Sequence, residues 1–369
     1  MRLRRILALM RKELLEVRRD PRLLRIIFLA PIVQLLAFGY AVSTDVRHTA
    51  TITLDRDHTP TSRRLLEALT ASGYFDLVAH ASSPAELVRA LDLSTATLAI
   101  EIPRGLEADL AEGRGATVQL LFDGTNSNLA TVSRGYAEAI VERFGVSLTS
   151  PALTPPLTLV DRAWFNPDLK SRNYNVPAVV GVIVMLVCLL LTSLAVVRER
   201  EVGTLEQLLV SPLSAWELLA GKTLPFAILG LINVAVITTV ALVWFDIPFR
   251  GSFLLFLAAS LLYLLSALGL GLLVSSIAKT QQEAFMSTLL LFMPAMLLSG
   301  FLFPVASMPA GFRAVTIANP MRHYLEIVRA LFLKGAAFEA LRSQLTALLI
   351  LGVVIFAAAW WRFRRTTSA

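Results

Sequence analysis

Residues 198–222 read REREVGTLEQLLVSPLSAWELLAGK. This charged, amphipathic stretch lies between two long apolar runs, 177–197 and 224–245. Each run has roughly the 20 apolar residues needed to cross a hydrocarbon core. The stretch between them is therefore predicted to be a short loop at the membrane surface. Read as a helix, it places Val202, Leu205 and Leu209 on one stripe, with Leu208 beside it and Glu199, Glu201 and Glu206 on other faces. Two readings follow. The stripe lies in lipid as an interfacial helix, or it docks into the groove of a cytosolic partner. Amphipathicity alone does not choose between them.

Further apolar runs occur at 23–42, 253–277, 284–303 and 345–361, giving six predicted spans. The 369-residue chain is 56% hydrophobic, which fits a polytopic helical membrane protein and not a soluble domain. Its net charge of +7 gathers near the termini beside apolar runs, so it suits anionic headgroups and not nucleic acid. The single cysteine, Cys188, lies inside an apolar run and excludes an internal disulfide.

Residues 1–22 form an amphipathic stripe of Leu3, Ile6, Leu7, Met10, Leu14 and Val17 among Arg and Lys. An interfacial helix is predicted there, broken at Asp20-Pro21 before the first span. Glu13, Glu16 and Asp20 make this start too acidic for a signal-peptide n-region, so the first span is read as uncleaved. Residues 43–174 differ in kind. Strand-like runs at 49–54, 76–81, 95–102 and 117–122 alternate with helix-like runs at 61–71, 84–93, 106–112 and 128–144, and a last extended run covers 157–164. This predicts an α/β domain with a sheet of four or five strands, inserted between spans 1 and 2.

Six spans put both termini on one side. Their basic residues, with Arg362, Arg364 and Arg365 in the tail, place them in the cytoplasm. The α/β domain is then extracytoplasmic and the 198–222 loop cytosolic. The outer stretch 304–343 runs against the charge rule, carrying Arg313, Arg322, Arg329, Lys334 and Arg342 against Glu326 and Glu339. Its prolines Pro304, Pro309 and Pro320 suggest re-entrant half-helices buried against protein.

Catalytic motifs fail on inspection. Gly221-Lys222-Thr223 resembles the end of a phosphate-binding loop, but that motif needs a glycine at position 216, where Trp216 stands. His48, His58, His80 and His323 lack metal-ligand spacing, so no metal site is expected. Gln34, Asn233, Ser266, Ser275, Ser276 and Ser299 are uncharged span residues and are read as interhelical hydrogen-bond formers. No span centre carries a charge, which argues for an external energy source over ion coupling.

The run Glu199-Arg200-Glu201-Val202-Gly203-Thr204-Leu205-Glu206-Gln207-Leu208, then Pro212 and Gly221-Lys222, resembles the signature of the ABC-2 type exporter permeases. Other motifs agree in order. Lys12-Glu13 with Arg19-Asp20-Pro21 resembles the family's leading interfacial helix. Trp164-Phe165-Asn166-Pro167 and Val176-Pro177 resemble the approach to its second span. Gln281-Gln282 resembles the turn before its fifth. Ser299-Gly300-Phe301, Pro304, Met308-Pro309, Asn319-Pro320 and Lys334-Gly335 resemble its external re-entrant region. The large domain between the first two spans is similar to the drug-exporter branch.

The resemblance implies a half-transporter in a bacterial inner membrane. Two permease subunits, identical or paralogous, would recruit two ATP-binding cassette subunits, which carry the ATP and magnesium; this chain needs no cofactor and is not itself an enzyme. The coupling residues would be Glu199, Glu201, Gly203, Thr204, Leu205, Glu206, Leu208, Leu209 and Pro212. Gly203 would allow a tight helix start and Pro212 would end the first helical segment. The cargo would be drugs or other amphiphilic or hydrophobic compounds, and a periplasmic adaptor on the outer domain is a further expectation. The competing class is a membrane receptor with a ligand-binding outer domain. Its output module would be larger than this chain's longest internal loop of about 25 residues.

Overall fold

The computed structural model describes residues 2–41, 48–125, 127–148, 164–166, 170–203 and 214–367. It divides into two units, Met1–Ser43 with Arg162–Ala369, and Thr44–Asp161.

The first unit is helical. Helix α1 (Arg2–Arg19) stops at Asp20, whose carboxylate accepts the Leu23 backbone N–H at 3.3 Å and starts α2 (Pro21–Leu24). A π-helical turn, Arg25–Leu29, leads into α3 (Ala30–Ala41). Pro31 has no N–H to offer the Ile27 carbonyl one turn back. That carbonyl instead accepts the Asn233 side-chain amide at 2.7 Å from a neighbouring helix. Helices α4 (Pro60–Ala71), α5 (Pro84–Asp92), α6 (Leu106–Ala111) and α7 (Ser127–Leu148) belong to the second unit, and the longer helices of the first are α8 (Ser171–Val202), α9 (Ala215–Phe245), α10 (Phe253–Ile277) and α14 (Phe338–Thr367).

These four are long and apolar enough to cross a membrane, and Arg25–Ala41 is a shorter apolar helix. Helix α8 is the centre of the bundle: 78% of its apolar window is buried, against 22% for α14. Its neighbours approach at glycines. A Cβ on Gly271 of α10 would lie 2.8 Å from Thr192 Cβ and 3.1 Å from the Leu189 carbonyl oxygen. Tyr263 stacks on Tyr324 with ring centroids 4.0 Å apart, and its hydroxyl donates to the Gly181 carbonyl at 2.9 Å.

The fifth apolar run departs from its predicted bounds of 284–303. Helix α11 (Gln281–Leu297) has 17 residues, about 25 Å at 1.5 Å per residue and short of a ~30 Å core. Beyond it Gly300 turns the chain at φ +82°. Ser299 supports the turn: its hydroxyl donates to the Met296 carbonyl at 2.6 Å and accepts the Phe301 N–H at 3.2 Å. In the 304–343 stretch, Pro304 precedes a short 3-10 turn and Pro309 precedes α12 (Ala310–Thr316). Pro320 is the first residue of α13 (Pro320–Arg329), where Asn319 caps the Met321 N–H at 3.0 Å. A second π-helical turn, Ala330–Lys334, closes at Gly335. Arg329 lies 3.8 Å over the Tyr174 ring and donates to the Gly300 carbonyl at 3.0 Å, tying this stretch to α8.

The four serines read from the sequence as interhelical bond formers behave differently from that expectation. Ser266, Ser275, Ser276 and Ser299 all donate to carbonyls of their own chain segment three or four residues back. Among the named polar residues, Asn233 makes the interhelical bond, to Ile27.

The second unit is a four-stranded α/β sheet of β1 (Thr49–Asp55), β2 (Phe75–His80), β3 (Leu98–Ile102) and β4 (Gln119–Phe122), in the order β2-β1-β3-β4. β1 is parallel to β2 and β3, and β4 is antiparallel to β3. Two apolar cores form in this unit, one around Leu65, Leu69, Phe75, Leu98 and Ile100, the other around Ile52, Leu54, Leu87 and Ala99. The extended run predicted at 157–164 lies outside the described residues except for Trp164.

Candidate functional site

The 198–222 segment is less of a loop than its charge suggests. Residues up to Val202 complete the last turn of α8, which ends at Gly203 with φ +78°. Only glycine takes that left-handed conformation without cost, and it is a common helix stop. Gly203 therefore caps the end of α8. The stripe predicted through Val202, Leu205 and Leu209 is cut there: Val202 belongs to α8 and is 68% exposed. Thr204, Leu205, Glu206, Leu208, Leu209 and Pro212 lie outside the described residues. Ser214 exchanges capping hydrogen bonds with Glu217 and starts α9.

The two roots of the segment meet α1 in a buried cluster of charge. Lys222 on α9 is 2% exposed and pairs with Glu199 on α8, and its ammonium is 3.7 Å from Glu13 on α1. Lys12 on α1 bonds the other Glu199 oxygen at 2.8 Å and stands 3.6 Å from Glu13 and 3.3 Å from Glu16. Two pairs flank the cluster, Arg198 with Asp20 at 3.6 Å and Arg5 with Glu217 at 3.9 Å. Gly221 makes this approach possible, because a Cβ there would sit 2.5 Å from Leu9 of α1. The Gly-Lys pair that imitates a phosphate loop thus works in packing: the glycine admits α1 and the lysine joins it by charge.

Burial sets the acidities. It pushes the Glu13 carboxyl up, opposed by the charges of Lys222 and Lys12. For Lys12, burial pulls the ammonium down, but the Glu199 hydrogen bond and the surrounding carboxylates outweigh it and hold the group above its ordinary value. Its charge is therefore retained throughout the neutral range.

A third tie reaches α11. Glu201 accepts the Gln281 backbone N–H at 2.8 Å and also its side-chain amide. Arg200 donates to the Ala278 carbonyl at 2.8 Å in the same turn. The charged end of α8 thus grips α1, α9 and the start of α11 together.

Of the predicted site residues, Lys12, Glu13, Asp20, Glu199 and Glu201 come together at this junction. Arg19 lies at the end of α1, where Pro21 starts the next helix. Ser299, Gly300, Phe301, Pro304, Pro309 and Pro320 form the separate stretch after α11. Lys222 and Gln281 lie in motifs that resemble the family's, but the sequence reading gives neither a site role. Lys222 carried a signal: it is the only Lys or Arg between Arg200 and Arg250 and stands at the start of an apolar run. Three of the histidine side chains have local partners: His48 with Asp76, His80 with Thr53, and His323 with the Ile317 carbonyl.

Residues 21–361 match the profile of the ABC-2 family transporter protein family. The chain is 34% identical over 362 residues to Probable multidrug ABC transporter permease YbhR of Escherichia coli (strain K12), covering 98% of each chain. It is 31% identical over 375 residues to Probable multidrug ABC transporter permease YbhS of the same organism, covering 98% of this chain and 97% of that one. Inner membrane transport permease YhhJ, also of Escherichia coli (strain K12), is 28% identical over 349 residues, with 90% and 92% covered.

Removing one partner of a buried ion pair strands the other charge. Lys222→Met is expected to destabilise the bundle by about 3–5 kcal/mol. Lys222→Met with Glu199→Leu should recover much of that loss. Thermal unfolding of the detergent-purified proteins measures both, and strictly additive effects would contradict the pairing.

Proposed function

The chain belongs to the ABC-2 family of transporter membrane proteins and is a permease subunit of an exporter; on that premise we propose that separate ATP-binding subunits drive it through the 198–222 segment. ATP and magnesium are held by those subunits, and two permease copies, identical or paralogous, enclose the path. The cargo is amphiphilic or hydrophobic, drugs included, in keeping with the multidrug names of the two relatives.

The observation that carries the reading is the junction of Glu199, Lys222, Lys12 and Glu13. A push on the segment between α8 and α9 reaches α1 through this cluster and α11 through Glu201 and Gln281. Neither route needs a flexible loop, because each is a short side-chain contact to a helix end. Glu199 and Glu201 therefore act by holding the root of the segment. Contact with the ATP-binding subunits falls to the residues between Gly203 and Ser214.

The topology proposed is six membrane segments, with α3 and α11 as the shorter ones and both termini in the cytoplasm of a bacterial inner membrane. Two contacts support placing the termini on the segment's own side: Arg5 beside Glu217, and Trp360 packed edge-on to Trp216 at 5.7 Å. An even number of crossings follows. The basic residues of both termini favour the cytosolic face, and Arg365 lies over Trp361 at 3.9 Å as an interfacial anchor. The α/β unit then stands outside the membrane, where an adaptor would dock.

Glu201→Ala should lower cargo-stimulated ATP hydrolysis of the reconstituted complex at least about fivefold, with the permease's own unfolding midpoint little changed. Full stimulation together with intact association would remove the coupling role. Ser94→Cys, in the α/β unit, should react in whole cells with a membrane-impermeant maleimide, since Cys188 is buried and silent. Labelling that requires permeabilised cells would reverse the orientation.

A further inference from the structure

A cleft of about 1000 Å³ opens between α1, the Pro21–Leu29 turns, α8 and α11. Its walls differ in character. One part of the lining is apolar, with Ile26, Leu190, Leu191, Leu194, Phe226 and Phe285. The other, a charged rim formed by α1 and the end of α8, includes Glu13, Glu16, Asp20, Arg198 and Glu199. Sites of this size and composition commonly take small molecules, the apolar wall giving affinity and a few polar groups fixing orientation.

Most rim charges have close partners. Arg198 stands 3.6 Å from Asp20, and Lys12 is bonded to Glu199 at 2.8 Å and lies 3.3 Å from Glu16. Glu13 differs. It is 4% exposed, and its Oε1 is buried without a hydrogen-bond donor. The nearest ammonium groups, of Lys12 and Lys222, are at 3.6 and 3.7 Å, beyond hydrogen-bond range. A buried carboxylate oxygen without a donor is destabilising. It lines the cleft, so a guest can supply the missing donor. The lining carries four carboxylates (Glu13, Glu16, Asp20, Glu199) and three cations (Lys12, Arg19, Arg198), and Lys222 behind it, 3.7 Å from Glu13 and paired with Glu199, supplies the fourth positive charge.

We propose that this cleft binds an amphiphile with a primary ammonium head, which donates to Glu13 Oε1 while the apolar body lies against Leu190, Leu194 and Phe285. An ammonium offers three donors, whereas an anionic head would present acceptors to an oxygen that lacks a donor. The same chemistry arises in a free amphiphilic amine and in the aminoethyl headgroup of phosphatidylethanolamine. That the guest is cargo rests on the exporter reading; that it binds does not.

The test is equilibrium binding to the full chain in phosphatidylcholine nanodiscs, without ATP-binding subunits or nucleotide. Failure of the coupling reading therefore leaves the result untouched. The probes are dansylcadaverine and its N-acetyl derivative, titrated by fluorescence anisotropy. The amine should bind about tenfold more tightly than the neutral analogue, about 1.4 kcal/mol. Glu13→Gln should abolish that preference. Leu194→Trp, which narrows the cleft and leaves the charge cluster in place, should weaken both probes and decides the matter if Glu13→Gln yields no folded protein. Equal binding of the two probes by the unaltered chain, a preference that survives Glu13→Gln, or unchanged binding in Leu194→Trp would overturn the proposal. Nanodiscs containing phosphatidylethanolamine separate the sources. Competition with the amine probe identifies the lipid as occupant, and an unchanged isotherm identifies the free amine.

Discussion

An ammonium group removed from water requires carboxylates beside it, and the buried Lys222 imposes that requirement on three helices at once. Glu199 must come from the end of α8 and Glu13 from α1, and Lys12 must then offset the second acidic charge. The pairings are mutually dependent, since deleting any member leaves a buried charge uncompensated. Gly221 is the steric counterpart of this electrostatic demand, because any side chain there would hold α1 away from Lys222. The interfacial helix is therefore part of the bundle and not only a float in the headgroup region. Leu9 and Val17, two of its apolar residues, are buried against protein.

A second constraint sits about three helical turns further along α9, at Asn233. Pro31 frees the Ile27 carbonyl in an environment where water is scarce, and Asn233 answers it. The span following α1 is thereby fastened to α9, the same helix that carries Lys222. Toward the other end of α3, Gly39 lies against the ring of Phe245 and Trp244 donates to Tyr40 at 3.1 Å. Charge at one end, a backbone carbonyl in the middle and aromatic contact at the far end make α1, α3 and α9 one mechanical element. Such an element suits a subunit whose energy arrives from a partner, because displacement at the root of α9 is carried along its length.

Much of this was legible in the residues. The apolar runs gave the long helices, Asp20-Pro21 gave the end of α1, and alternation gave the four strands of the α/β unit. The order of short motifs gave the family. What escaped was pairing over distance. Nothing in 23 residues of separation says that Glu199 and Lys222 meet, and the 209 residues between Glu13 and Lys222 say still less. The end of α11 escaped for a related reason. Apolarity continues to Phe303, but Gly300 and its tie to Arg329 stop the helix at Leu297. Gly203 is the instructive case, since a glycine after a charged helix end is a familiar stop signal. The amphipathic pattern around it favoured continuity instead, and the left-handed backbone there prevails.

The central claim is that α1 and the start of α9 move together because the Lys222 cluster binds them. Spin labels at Leu15 on α1 and Leu224 on α9, both partly exposed, report that separation directly by pulsed electron resonance. Measured in the complex with its ATP-binding subunits, resting and nucleotide-trapped, the distance should agree within about 2 Å. A change of about 5 Å, the slide of one helical turn, would mean that the two helices part during the cycle and that the cluster does not transmit the stroke.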